Sequence, residues 1–406
     1  MIPRTLATGA VEILNRYDKM AFVSGPRQVG KTTFAKRLQK DFSQSLYFNW
    51  DVITDQKRLL KNPYFFESED RDVAKPFLLV LDEIHKYARW KNYLKGAYDR
   101  YHPEFRFLVT GSGRLDLFKK GGDSLLGRYL GLPLFPLSVG EISGHRPSWN
   151  EFQENLQNPP PIKSETRAAY RTLFEFSGFP EPWTKGGLTF YNMWFQERKS
   201  LLVREDIRGA SAIREISLLE ALSHAIPDRV GAPLSINALK EDIGVAFETA
   251  REWLLLLEQF FYLFRLRPFS GSLSRSLKKE AKAYLYDWVE IPDAPIRFEN
   301  MVALHLHKAV RTWRALGAGD LDLFYVRDKE KREVDFLITE KMRPLCLVEC
   351  KSSDTSFAPA LVYFQEKLQV PTAVQLVHSG DICRKTAHNG KTQWIISADR
   401  WLDILP

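Results

Sequence analysis

Gly25-Pro-Arg-Gln-Val-Gly-Lys-Thr32, set between MAFVS (20–24) and TFAKRLQK (33–40), decides how the first part of this 406-residue chain folds. It fits GxxxxGK[ST] in full, after an apolar run that reads as a strand and before a stretch that reads as a helix. In that setting the loop Gly25, Pro26, Arg27, Gln28, Val29 and Gly30, with the helix start at Lys31, Thr32 and Thr33, can cradle a triphosphate with its backbone. The glycines allow close approach. Lys31 is expected to reach the β- and γ-phosphates and Thr32 to hold Mg²⁺, so ATP with Mg²⁺ is the expected cofactor. A plain glycine turn before a helix would not call for Lys31-Thr32.

Working outward, FLLVLDE (77–83) runs through apolar residues into Asp82-Glu83. That places two carboxylates at the C-terminal edge of a buried strand, where α/β sheets bind ligands. Asp82 is expected to hold Mg²⁺ and Glu83 to polarise the attacking water. MAFVSG (20–25), LYFNWD (46–51) and FRFLVTGS (105–112) read as further buried strands. KTTFAKRLQK (31–40) and WKNYLKGAYDRY (90–101) read as the helices between them.

Composition narrows the rest. Hydrophobic residues at 44% and charged residues at 27% exclude a disordered or fibrous chain. Fifty-eight Lys and Arg against 50 Asp and Glu leave +8, a mild surplus that suits polyanionic partners. Three cysteines without a CxxC pair argue against a disulfide framework or zinc knuckle and for a reducing compartment. No signal-like start and no bilayer-length apolar run is present, so a cytoplasmic location without membrane contact is expected.

QNPPPIKS (157–164) breaks the pattern, and 165–230 reads as helical and polar. Residues 234–268 then read as a short helix, a turn at Gly244, a longer helix and a strand-like finish, an order that resembles a winged helix-turn-helix. Lys240, Arg251, Arg265, Arg267, Arg275, Lys278 and Lys279 gather near it, as a DNA phosphate-contacting surface requires. Residues 283–406 read as a last α/β unit.

LDEIHKYARWKNYLKGAYDR (81–100), FRFLVTGSGRLDLF (105–118) and DSLLGRYLGLPLFPLSVGEI (123–142), with SGFPEPW (177–183) and LVREDI (202–207), resemble the prokaryotic AAA-type ATPases. Those proteins carry a fused C-terminal domain long of unknown function, and the resemblance spans nearly the whole chain. It implies a sensor residue at Thr110 or Ser112. It also implies that Arg128 touches the γ-phosphate, in a homo-oligomer that of a neighbouring subunit.

Near the C-terminus, LDLFYVR, EVDFLIT and LCLVECK are three strand-like runs. With a period of two, Glu333 and Asp335 share one strand face, as do Glu349 and Lys351 in the next strand, after Leu345 and Leu347. Charges continuing an apolar stripe are costly unless paired or metal-bound. Asp335 and Glu349-Cys350-Lys351 resemble the PD-(D/E)xK nuclease core. That likeness implies Mg²⁺ or Mn²⁺ on Asp335 and Glu349, a water positioned by Lys351, and a helper carboxylate at Glu299. Only the carbonyl of Cys350 would face the metal. The histidines show no ligand spacing and read as structural.

Together these readings give an α/β chain: an AAA-type parallel-sheet ATPase domain (1–145), a helical lid and linker (146–230), a winged-helix-like module (231–270) and a restriction-endonuclease-like domain (283–406). The expected activity is ATP hydrolysis coupled to work on branched or single-stranded DNA, with metal-dependent cleavage by the last domain. The alternative is a regulatory ATPase switch whose nuclease-like domain only binds DNA or a protein partner.

Overall fold

A computed structural model describes residues 2–113, 125–208, 215–270, 279–378 and 380–406. The chain divides into two units, Arg4–Phe135 and Met1–Pro3 with Pro136–Pro406.

In the first unit β1 (Met20–Ser24), β2 (Ser45–Asn49), β3 (Phe77–Asp82), β4 (Phe105–Gly111) and β5 (Tyr129–Pro133) form one sheet in the order β2-β3-β4-β1-β5. Every neighbour in it is parallel. β1 and β3 are buried along their whole length, which explains why they read as unbroken apolar runs rather than alternating ones. Asn49, Asp82 and Thr110 stand in register, so polar residues from three strands meet at one C-terminal edge. The helices Lys31–Leu38 and Trp90–Tyr101 bury Phe34, Leu38, Trp90 and Leu94.

The second unit holds a mixed six-stranded sheet, order β12-β13-β11-β10-β9-β8. Its strands are β8 (Leu321–Arg327), β9 (Glu333–Glu340), β10 (Arg343–Lys351), β11 (Thr372–Val377), β12 (Cys383–His388) and β13 (Lys391–Ser397). β8, β9 and β10 run antiparallel in sequence, whereas β10, β11 and β13 are parallel, the helix Pro359–Lys367 making the crossover from β10 to β11. A bulge at Pro344/Cys346 adjusts the register of β10. The 22-residue helix Ala294–Ala315 starts on an Asp293 cap and packs on β8, β9 and β10.

Helices Ile236–Ile243 and Phe247–Gln259 flank Gly244, whose φ of 73° is the left-handed cap a glycine adopts most readily. They lead into an antiparallel hairpin, β6 (Leu263–Leu266) with β7 (Lys282–Leu285). The sequence reading ends this module at 270 and begins the last unit at 283, so it separates β7 from its partner. Residues 267–281 lie between the two strands, too long a connection for local turn signals to announce the pairing.

The segment expected as a lid lies in the second unit. Helix Trp149–Gln157 and the proline run after it pack within that unit: Trp394 Nε1 donates to Leu156 O at 3.1 Å, and Arg400 donates to the carbonyls of Pro159 and Pro160 at 2.8 Å each. His305 is structural, as its lack of ligand spacing suggested: its Nε2 accepts from Val139 N at 3.2 Å, and Lys308 pairs with Glu141 at 2.6 Å beside it. Among the described residues no helix is long and apolar enough to cross a membrane.

Candidate functional site

The phosphate loop leaves β1 with no room for a side chain at its first residue. A Cβ on Gly25 would stand 2.1 Å from Leu134 O, so only glycine lets the backbone pass there. Gln28 and Gly30 have φ of 64° and 95°, which curl the chain before helix Lys31–Leu38 begins. Lys31 is buried, its Nζ donating to Gly25 O at 3.0 Å and Pro26 O at 2.8 Å. Its ammonium therefore sits inside the loop, where phosphate oxygens can replace the carbonyls. Arg4, which carries no motif, donates to Val29 O at 3.1 Å and also to Phe135 O, bracing the loop.

Asp82 gathers three hydroxyl donors. Thr32 Oγ1 lies 2.7 Å and Tyr47 OH 2.5 Å from Asp82 Oδ2, and Thr110 Oγ1 donates to Oδ1. Thr110 is thus spent on the carboxylate. Burial, then Asp82 beside it, raises the Tyr47 phenol above its ordinary pKa, so it stays a neutral donor. Sequence reasoning misses Tyr47; its only signal is a polar-tipped residue in the strand that pairs with β3. Thr32 and Asp82 together offer hard oxygen donors, and with the closed cradle at Gly25 the set fits a nucleoside triphosphate with Mg²⁺.

Glu83 follows in a left-handed turn, φ 56°. Burial raises its pKa, opposed by Lys31 and Lys86. Glu83 Oε2 lies 3.6 Å from His85 Nε2, which is 3.4 Å from Ser112 Oγ. Ser112 therefore reaches Glu83 through His85, a link that the spacing Glu83-x-His85 could have suggested. The expected arginine, Arg128, precedes β5 at the opposite, N-terminal edge of the sheet. Its guanidinium grips Asp99 in two hydrogen bonds, at 2.6 and 2.9 Å. It does not join its own chain's phosphate loop.

In the second unit, Glu299, Asp335 and Glu349 converge where β9 begins and β10 ends. Asp335 Oδ2 accepts from Cys350 N at 2.8 Å, and Glu349 Oε2 accepts from Asp335 N at 3.3 Å. Cys350 thus contributes its N–H to the cluster. Lys351 Nζ donates to Glu349 Oε1 at 2.8 Å. Burial pushes Asp335 well above the usual carboxylate range, with Glu299 and Glu349 adding to it, and burial raises Glu349 against the pull of Lys351.

The residue that organises this cluster belongs to no motif. Lys282 of β7 is 1% exposed and puts Nζ 2.7 Å from Glu333 Oε1, 3.3 Å from Glu299 Oε1 and 3.9 Å from Asp335 Oδ1. Burial opposes its charge, but Glu299, Asp335 and Glu333 outweigh that and raise its pKa. Tyr284 OH donates to Glu299 Oε1 at 2.6 Å. An ammonium among these oxygens does not fit a divalent cation at the same place. Among the described residues no group of three or more His, Cys, Asp or Glu has metal-holding geometry. A lysine flanked by alanines in the strand pattern AKAYLY is the available signal.

The basic surface is partly self-neutralised. Arg251 pairs with Glu248 at 2.5 Å and Arg265 with Glu258 at 2.6 Å, while Arg267 and Lys279 are exposed. Arg275 and Lys278 lie outside the described residues. A cavity of about 720 Å³ runs beside Arg265, Arg267, Lys279 and Arg311.

Residues 17–143 match the family described as "AAA domain". This part of the chain is an AAA-type P-loop ATPase domain. Residues 167–288 and 297–398 match two families each described as a domain of unknown function, DUF8612 and DUF4143. The Walker-type ATPase PABY2304 of Pyrococcus abyssi is similar at 12% identity, over 73% of this chain and 96% of that one, with a TM-score of 0.42. AMPPCP-bound DnaA from Aquifex aeolicus aligns at 13% identity over 63% and 86%, TM-score 0.31. A signal transduction ATPase with numerous domains, PH0952 from Pyrococcus horikoshii, aligns at 13% identity over 78% and 47%, TM-score 0.28. With TM-scores below 0.5, none of these superpositions defines the architecture of the whole chain. No curated protein matches the sequence.

Proposed function

We propose that this protein hydrolyses ATP and uses the nucleotide cycle to act on DNA. The observation that carries the first half is the convergence of Thr32, Tyr47 and Thr110 on Asp82 beside Lys31. Bound Mg²⁺ would neutralise phosphate charge, held by the Thr32 hydroxyl and the Asp82 carboxylate. Lys31 exchanges its loop carbonyls for phosphate oxygens. Glu83, raised in pKa by burial, orients the attacking water, and Ser112 reports on it through His85. Arg128 would serve a neighbouring subunit's nucleotide in a homo-oligomer once Asp99 is displaced.

DNA is the proposed partner of the helix–turn–helix–hairpin segment, read as a winged helix, and of the α-β-β-β-α-β succession from Ala294 to Val377, read as restriction-endonuclease-like. Exposed Arg267 and Lys279 support it, and branched or single-stranded DNA is the proposed form. The second reading, in which the last domain binds DNA or a protein partner without cutting, is favoured by Lys282 among the carboxylates.

The test is ATP turnover with single-stranded, linear, forked and four-way DNA. Stimulation by at least one form, lost in Glu83→Gln, supports the proposal. Turnover indifferent to every DNA would overturn its DNA half.

A further inference from the structure

We infer that Lys282 is a tethered cation standing in for a divalent metal at the acid cluster of the C-terminal sheet. This rests on the non-cleaving reading above and deepens it. The cluster brings four carboxylates together, Glu299, Glu333, Asp335 and Glu349, and three cations from the chain meet them. Lys351 holds Glu349 at 2.8 Å, Arg327 holds Glu333 at 3.1 Å, and Lys282 reaches Glu333, Glu299 and Asp335 at 2.7, 3.3 and 3.9 Å. Carboxylates this close repel unless a cation stands between them, and here the polypeptide provides it.

Lys282 cannot easily swing away. Its backbone is paired on both sides, with Leu266 across the hairpin and with Pro233 in an isolated bridge. Its side chain is 1% exposed, so leaving would strand an ammonium in a buried strand. A divalent cation coordinated by Asp335 and Glu299 would have to displace that ammonium or share its oxygens at close range, and like charges oppose both. Other oxygens of the cluster are engaged as well: Asp335 Oδ2 by Cys350 N, Glu349 Oε2 by Asp335 N, and Glu299 Oε1 by Tyr284 OH.

The consequence is positional as well as chemical. Lys282 lies on the hairpin, Glu299 on helix Ala294–Ala315, and Glu333 and Asp335 on β9. One buried ammonium therefore fastens the hairpin of the helix–turn–helix segment to the sheet, and does so without metal.

Mn²⁺ binding to the nucleotide-free full-length protein, followed by electron paramagnetic resonance of the free ion, tests this. Wild type and Asp335→Asn should bind Mn²⁺ alike, because no ion uses the cluster. Lys282→Gln should bind one further Mn²⁺ per chain, and Lys282→Arg should not. A Mn²⁺ site present in wild type and lost in Asp335→Asn would overturn the inference, and that comparison decides it even if Lys282→Gln fails to fold. A folded Lys282→Gln, by circular dichroism, with no added Mn²⁺ would overturn it too. No arm involves DNA, so its failure is distinct from a failure of the DNA reading.

Discussion

Thr32 and Asp82, fifty residues apart in sequence, are joined by a hydrogen bond of 2.7 Å across the C-terminal edge of the first sheet. A hydroxyl from the phosphate loop and a carboxylate from β3 are thereby held as a pair by the fold itself. Preorganisation of this kind removes part of the ordering cost of binding.

Lys31→Ala should abolish ATP binding, whereas Glu83→Gln should keep binding close to wild type and lower turnover by about 100-fold or more, the usual size of a lost general-base contribution. Binding of a fluorescent ATP analogue and phosphate release measure the two. Undiminished turnover in Glu83→Gln would remove Glu83 from its role.

Gly25→Ala should weaken both fold and nucleotide affinity. The added methyl would stand 2.1 Å from a backbone oxygen, so the loop itself must move, at a cost on the order of 1–3 kcal/mol. Thermal unfolding and ATP titration should both shift; a variant with wild-type values in each would contradict the close approach.

Acid should destabilise the second unit through its buried histidines. Burial lowers His305 from 6.5 to about 4 and His307 to about 3. The unfolded chain then binds more protons than the folded one below pH 6.5, so stability is present above that pH and lost as pH falls toward those values. At pH 5 each should cost on the order of 2 kcal/mol. Urea midpoints at pH 7 and pH 5 should show a smaller drop in His307→Phe, and an equal drop would clear His307 of the effect.

Reversing Arg267 and Lys279 together to Glu should weaken binding to all DNA sequences alike and flatten the log–log salt dependence by about 1 for each phosphate no longer neutralised. Fluorescence anisotropy over a salt series measures it. An unchanged slope would place the DNA elsewhere.

Much of the nucleotide site is legible because its signals are local. A phosphate loop is continuous, and Asp82-Glu83 ends an apolar run whose fully buried strand has no alternation to obscure it. The turn at Gly244 is legible for the same reason. What the residues alone do not disclose is partnership across distance. Tyr47 and Arg4 serve the loop from 35 residues before Asp82 and 25 before Val29, with no spacing rule to connect them.

The sequence by itself determined four of the five strands of the first sheet and two of its helices, the chemistry of the loop and the presence of acids near the C-terminus, because side-chain period and motif spacing are properties of neighbouring residues. Only the tertiary structure decided that Arg128 sits at the far sheet edge on Asp99, that the expected lid helices pack in the second unit, and that Lys282 occupies the centre of the acids. Each depends on which strand lies beside which. Strand order and hairpin closure over a long connection are set by the packing of whole elements, and no local pattern of residues records them.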